Sequence, residues 1–224
     1  FPYTTLFRSR ITSELKWADE DNRFQIIQSI QADQAEAIGR ALDYVVYHAV
    51  NPKTGEPLTG FDALTARAMQ VTAGDDDITN VDNLADQLNE TYDINGIAIS
   101  RTWASRLRKI RVPATGMRYY PEIPLNLQVG TLDGIKAATS ATVNGAKAKT
   151  PTNVLAIMGD FSLIKWGMVR DITSEIIPYG DPDQTGVDLK AHNQIAYRTE
   201  AMFSYAVVDP KAFAVLKTST EAGA

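Results

Sequence analysis

The sequence predicts an α+β fold containing one unusually long helix, long alternating strands towards the C-terminal end, and a separate α/β unit between them. Residues 19–50 contain no proline and only Gly39, and their apolar residues recur at helical spacing. Residues 193–216, NQIAYRTEAMFSYAVVDPKAFAVL, alternate in character for about fifteen positions and stop at Asp209-Pro210. Most globular strands are about five or six residues long, so a strand of this length has to cross a large sheet or leave one compact core. Between these two segments, Gly- and Pro-rich breaks separate short helical and strand-like pieces.

Taken in order, the opening FPYTTLFRS (residues 1–9) resembles a translated sequencing-adapter remnant and is read as a non-native scar. The helix of residues 19–50 places Asp19, Glu20 and Asp21 in its first turn, where the macrodipole favours acids, and Asn51-Pro52 ends it. Its apolar positions include Phe24, Ile27, Ile30, Ile38, Ala41 and Val45. At 1.5 Å per residue it would be about 45 Å long, which suits a spine packed on a sheet. NPKTGEPLTG (51–60) reads as a hairpin or protruding loop. Helical spacing returns at residues 81–91, and Ser100 is placed to cap a helix with Trp103, Leu107 and Ile110 on its apolar side. LNLQVGTLDGI (125–135) suits strands joined by turns, NVLAIMGDF (153–161) a buried strand meeting a Gly-Asp turn, and SLIKWGMVRDITSEII (162–177) an alternating strand.

Composition excludes more than it selects. At 224 residues and 44% hydrophobic, the chain can bury a real core. A net charge of -5 from 22 basic and 27 acidic residues suggests neither a strongly basic nucleic-acid tracker nor an acidic tail. Cysteine is absent, which removes disulfides and thiolate chemistry and fits folding in a reducing cytoplasm. No apolar run approaches the ~20 residues of a membrane span, and no secretion leader is expected.

Catalytic constellations are thin. His48 and His192 are the two imidazoles; helix-end charge complementarity accounts for the first and simple exposure for the second. No nucleophile elbow, phosphate loop or dinucleotide fingerprint occurs. In DPDQTGVDLKAH, Asp181, Asp183, Thr185 and Asp188 around Gly186 partly imitate a calcium loop, but His192 stands where the bidentate Glu belongs, so a polar turn is preferred. Arg101, Arg106, Arg108, Lys109 and Arg111 surround Trp103, which could stack a base; because Trp103, Leu107 and Ile110 form a core stripe, a solvated helix face or intersubunit contact is the preferred reading. No catalytic, cofactor-binding or metal-binding residue is assigned, and no enzyme activity is expected.

The segments GDFSLIKWGMVRDITSEIIPYGDPD (159–183) and DLKAHNQIAYRTEAMFSYAVVDPKAFAVL (188–216), with TSELKWADEDNRF (12–24) ahead of the long helix, resemble the major capsid proteins of tailed bacteriophages with the Hong Kong 97-type shell fold, particularly those of actinobacteria. The Gly159-Asp160-Phe161 turn, the Trp166-Gly167 pair, the Gly180-Asp181-Pro182-Asp183 loop and the Arg198, Glu200, Asp209-Pro210, Ala212-Phe213 ending carry the likeness.

The resemblance implies a peripheral (P) domain, with the spine helix beside a long-stranded antiparallel sheet, and an α/β axial (A) domain. The P domain is expected over residues 10–66 and 160–208, and the A domain over 67–159 with a return at 209–224. It implies a non-enzymatic shell subunit of the virion, assembled in the host cytoplasm from copies of itself as pentamers and hexamers around non-specifically held double-stranded DNA. Scaffold, portal, maturation protease and decoration proteins are the further partners such a subunit would meet. The family's N-terminal arm and E-loop are not seen ahead of the helix, so the chain is expected to fold yet assemble poorly, and no crosslinking residue is assigned. An encapsulin-type compartment shell is the nearest alternative, and DNA binding through the helix at 101–111 a more distant one.

Overall fold

The computed structural model describes residues 3–19 and 25–219. The first elements are β1 (Tyr3–Thr12), α1 (Ser13–Asp19), α2 (Ile26–His48), α3 (Leu64–Arg67), β2 (Met69–Thr72), α4 (Asp77–Asn89) and β3 (Gly96–Ser100). After them come α5 (Arg101–Lys109), β4 (Thr131–Leu132), β5 (Ile135–Ser140), β6 (Val154–Gly159), β7 (Ile164–Ile177), β8 (Gln194–Val207) and β9 (Phe213–Lys217). The chain divides into two compact units, Phe1–Leu42 with Trp166–Tyr205 and Asp43–Lys165 with Ala206–Ala224.

In the first unit β8 is the centre of a three-stranded sheet of order β1-β8-β7. β1, which includes most of the adapter-like residues, pairs antiparallel with β8 from Tyr3 opposite Phe203 to Thr12 opposite Gln194. Every second residue of β8 is buried, from Ile195 through Tyr197, Thr199 and Ala201 to Phe203, as a strand with one packed face requires. The α2 helix lies along that face: Gln34 accepts from the Thr199 hydroxyl and donates to Ser9 Oγ at 3.0 Å. Ile27, Ile30, Gln34, Ile38 and Ala41 are spaced three or four apart, so one stripe of the helix meets the sheet.

The helix is 23 residues long, about 35 Å, and unbroken, but it starts later than expected. Asp19 closes α1 instead of opening the spine. Gln25, immediately before Ile26, has φ 51°, and a residue in the left-handed region cannot continue a right-handed helix. Glu20, Asp21 and Phe24, expected in the first turns, lie outside the described residues. The other end is as read: Ala49 turns left-handed at φ 50° and Asn51-Pro52 follows. The next segment closes as a hairpin, with Val50 bridging Pro57 and Asn51 N–H donating to the Glu56 carbonyl at 2.8 Å.

The second unit is built on a six-stranded mixed sheet of order β2-β9-β6-β3-β5-β4. Parallel pairs β2/β9 and β3/β5 flank antiparallel β9/β6 and β6/β3. The three central strands are covered on both faces, which is why GIAIS, VLAIMG and FAVLK are continuous apolar runs rather than alternating ones. Ile97, Ile99, Met158 and Leu216 pack with Leu84 and Leu88 of α4 and Trp103 and Leu107 of α5. Ala98, Ile157, Phe213 and Val215 pack on the opposite side with Leu64 and Val143. At the edge, β4 and β5 join through Asp133-Gly134 with φ 49° and 80°, the two positive values a tight hairpin turn demands. α5 starts as read, with Ser100 Oγ accepting from Trp103 N–H at 3.3 Å.

Candidate functional site

The exposed surface of β7 is the first unusual feature. This 14-residue strand is an edge of the three-stranded sheet, and none of its described residues is buried. Trp166, Val169, Ile172 and Ile176, with Tyr179 just beyond, are 46% to 70% exposed. A long apolar edge strand is a template for pairing with another chain, and monomeric proteins normally blunt such edges with charge, proline or cover. Lys165 stands exposed at the start of the strand, but Arg170 and Glu175 point back to β8, Arg170 to Glu200 at 3.8 Å and Glu175 to Arg198 at 3.9 Å, which leaves the apolar stretch after Lys165 without charged cover from them. Arg198 also pairs with Glu200 directly, so the polar residues read in β8 form a ladder within the sheet.

Beyond β7, the turn of residues 178–193 is held by two arginines of β1. Arg10 binds Asp183 through Nε at 2.7 Å and Asp181 through Nη2 at 2.9 Å, and Arg8 reaches Asp183 at 3.2 Å. Burial pushes the Asp181 carboxyl up, but the Thr185 and Gly186 amides and Arg10 outweigh it and hold the group at about 2. Asp188 instead accepts from Ala191 N–H at 3.0 Å. The calcium-like spacing is therefore occupied by arginine and backbone donors. Among the described residues no group of three or more His, Asp or Glu could hold a metal.

Two of the motifs singled out in the sequence are parts of one structure. Gly159 of β6 pairs with Phe213 of β9, and Asp160 N–H donates to the Ala212 carbonyl at 3.1 Å. A Cβ on Gly159 would sit 2.2 Å from that carbonyl oxygen, so only glycine fits. Asp160 caps the turn after it by accepting from Ser162 N–H at 2.9 Å, and Phe161 meets Phe213 edge-on with ring centroids 5.5 Å apart. Ahead of β9, Asp209 accepts from Lys211 N–H at 2.9 Å and from the Tyr92 hydroxyl at 2.7 Å.

His48 is buried, not a helix-end charge. Its Nε2 lies 2.9 Å from the Thr142 carbonyl and its Nδ1 3.5 Å from Thr65 Oγ1, which itself donates to the Tyr47 carbonyl at 2.6 Å. Thr142 Oγ1 donates to Asp43 at 2.7 Å, completing a polar network among residues up to 99 positions apart. Burial lowers the His48 pKa and raises that of Asp43. His192 is exposed, with Nδ1 3.0 Å from the Asp188 carbonyl.

The base-stacking reading of α5 fails on geometry. Trp103 is fully buried and its indole N–H donates to Asp77 at 2.9 Å, so the ring presents no face to a nucleic acid. Arg106 turns inward to the same carboxylate, with bonds of 2.9 and 2.7 Å. Nothing local in the sequence marks Asp77, Thr142 or Arg10 as partners, because their contacts span 29, 94 and 171 residues.

A profile of the phage capsid family matches residues 9–218. A solved structure from Mycobacterium phage Ogopogo is 30% identical with a TM-score of 0.84, over 98% of this chain and 76% of that one. One from Gordonia phage Cozz is 28% identical with a TM-score of 0.81, over 98% and 71%. The capsid of an empty GTA particle, at 14% identity and a TM-score of 0.61 over 97% and 74%, shares the fold. No curated protein matches the chain.

Proposed function

The chain belongs to the phage capsid family and has the Hong Kong 97-type fold, so it is a major capsid protein of the virion, and from that premise we propose how it builds its shell. The subunit self-associates, closing an icosahedral head around double-stranded DNA in pentamers and hexamers, with assembly taking place in the host cytoplasm. The three-stranded unit is the peripheral domain and the six-stranded unit the axial domain. The role is structural: His48 and Asp43 sit in a hydrogen-bond network and Asp181 and Asp183 in ion pairs with β1, and no substrate is turned over. Scaffold, portal, protease and decoration proteins act on the shell from outside this chain's own chemistry.

One observation carries the assembly reading: the uncovered apolar edge of β7. Burying Trp166, Val169, Ile172 and Ile176 against neighbours recovers their transfer energy, about 25 cal/mol per Å² of apolar surface, which a lone subunit forgoes. Repeated around closed symmetry, moderate contacts of this kind hold a shell without disulfides.

The test is sedimentation velocity of the purified protein over a hundredfold concentration range, beside the double variant Val169→Lys/Ile172→Lys. Both substitutions fall at exposed positions, so folding should survive, as circular dichroism would verify. The parent is expected to form concentration-dependent oligomers that stop short of closed shells, and the variant to remain largely monomeric. A parent that stays monomeric throughout, or a variant that associates equally well, would sink the proposal.

A further inference from the structure

The axial unit also presents a cationic face with no partner of its own. Arg101, Arg108 and Lys109 of α5, Arg111 after it and Arg118 across a short hairpin enter no ion pair among the described residues. The hairpin is closed by Val112 N–H donating to the Met117 carbonyl at 2.9 Å and Tyr119 N–H to the Ile110 carbonyl at 3.1 Å. It carries Met117 and Tyr119 exposed beside the charges. Among the described residues Arg111 donates to the carbonyls of Arg108 and Ile110 alone, and Arg108 Nε is buried without a hydrogen-bond partner.

The chain supplies a complement. α4 buries Val81, Leu84 and Leu88, and its exposed side carries Asp82, Asp86 and Glu90, four residues apart and so in one row, with Asp93 beyond. The helix contains no lysine or arginine, and none of these four carboxylates joins an ion pair among the described residues. Like charges at this spacing repel one another unless something outside the helix answers them. α4 and α5 are locked together by the Asp77 carboxylate on Arg106 and Trp103, yet the acidic row and the cationic face form no ion pair with each other.

We infer that the cationic face of α5 and the 110–119 hairpin docks on the acidic row of α4 in a second copy of this chain. The inference rests on the shell reading and names one surface within it. Because the two charged surfaces differ, the contact is heterologous, and each docked copy keeps its other surface free for the next, which propagates a ring where the rotation closes. Opposed charges of this kind fix register and partner choice more than they add affinity. A polyanion such as duplex DNA fits less well, since it would meet the acidic row on the neighbouring helix and a chain of net charge -5.

Charge reversal tests it on the whole chain. One variant is Asp82→Lys/Asp86→Lys, the other Lys109→Glu/Arg111→Glu; all four residues are exposed. Sedimentation velocity at 50 mM salt should show each variant alone associating at least tenfold more weakly than the parent. A one-to-one mixture should regain association, since each variant retains the surface that the other has lost, and that recovery also shows that both are folded. Parent association should weaken as salt rises to 500 mM. Parent oligomers that persist in both variants would overturn the inference while leaving the shell reading intact, whereas a parent that never associates would remove both. Unchanged oligomers together with loss of binding to a fluorescent duplex in the Lys109→Glu/Arg111→Glu variant would assign the cationic face to nucleic acid and also overturn it.

Discussion

His48 shows how a single side chain ties stability to pH. Burial is the main influence and lowers its pKa; the Thr142 and Val143 backbone groups oppose this, and the positive charge of Lys217 adds to it. The ring is therefore neutral in the native state at a pH where the unfolded chain, near the ordinary value of about 6.5, already takes up a proton. As pH falls through and below that value the unfolded state binds more protons, and stability drops by up to about 1.4 kcal/mol per pH unit until the native ring protonates. Asp43, two hydrogen bonds away through Thr142, works in the opposite sense, because its raised pKa makes the folded state gain as its carboxyl takes a proton. Urea midpoints between pH 7.5 and 5.5 should decline in the parent and flatten in His48→Gln. A His48→Gln slope equal to the parent's would disprove the assignment. None of this was visible in the sequence, where His48 could be compared only with its helix neighbours and Thr142 is 94 residues away.

At the scale of elements, the same contrast explains which parts of the fold were legible. The end of α2, the Ser100 cap of α5 and the long runs of β7 and β8 follow from local patterns of spacing, capping and alternation. The start of α2 was misplaced because the acidic residues near 19–21 satisfy a helix rule as well in one helix as in another, and the left-handed turn at Gln25 has no marker. Strands β2, β3 and β9 are four or five residues long and are defined by partners across the sheet, not by their own sequence. The candidate site was hardest of all, since alternation identifies β7 as a strand but only the order β1-β8-β7 reveals it as an edge. Glycine gives a direct test of the paired motifs. Gly159→Ala forces a methyl against the Ala212 carbonyl between β6 and β9 and should cost about 2–4 kcal/mol in denaturant unfolding. Gly167→Ala on β7, where no atom lies within 4 Å of the added carbon, should fall within about 0.5 kcal/mol of the parent. Equal costs at the two positions would refute the role given to the β6–β9 contact.

For the whole molecule, the two units should differ in how firmly their backbone is held. The six-stranded sheet has apolar clusters on both faces, so the amides of β3, β6 and β9 can exchange only through large-scale opening. The three-stranded sheet has β8 packed under α2, but its β7 edge bears no buried residue among those described, so from Trp166 onward that strand can fray before β8 opens. Hydrogen exchange on the unassembled protein should therefore give slow amides in β3, β6 and β9, intermediate ones in β8 and fast ones along β7. Assembly changes the balance at one place in particular, because a neighbour covering Trp166, Val169, Ile172 and Ile176 raises the cost of peeling β7. On oligomers isolated by sedimentation, β7 amides should slow by tenfold or more while those of β3, β6 and β9, already limited by global opening, change less. Protection appearing elsewhere with β7 still fast would mean that the exposed edge is not where subunits meet, and the assembly surface would have to be sought on another face.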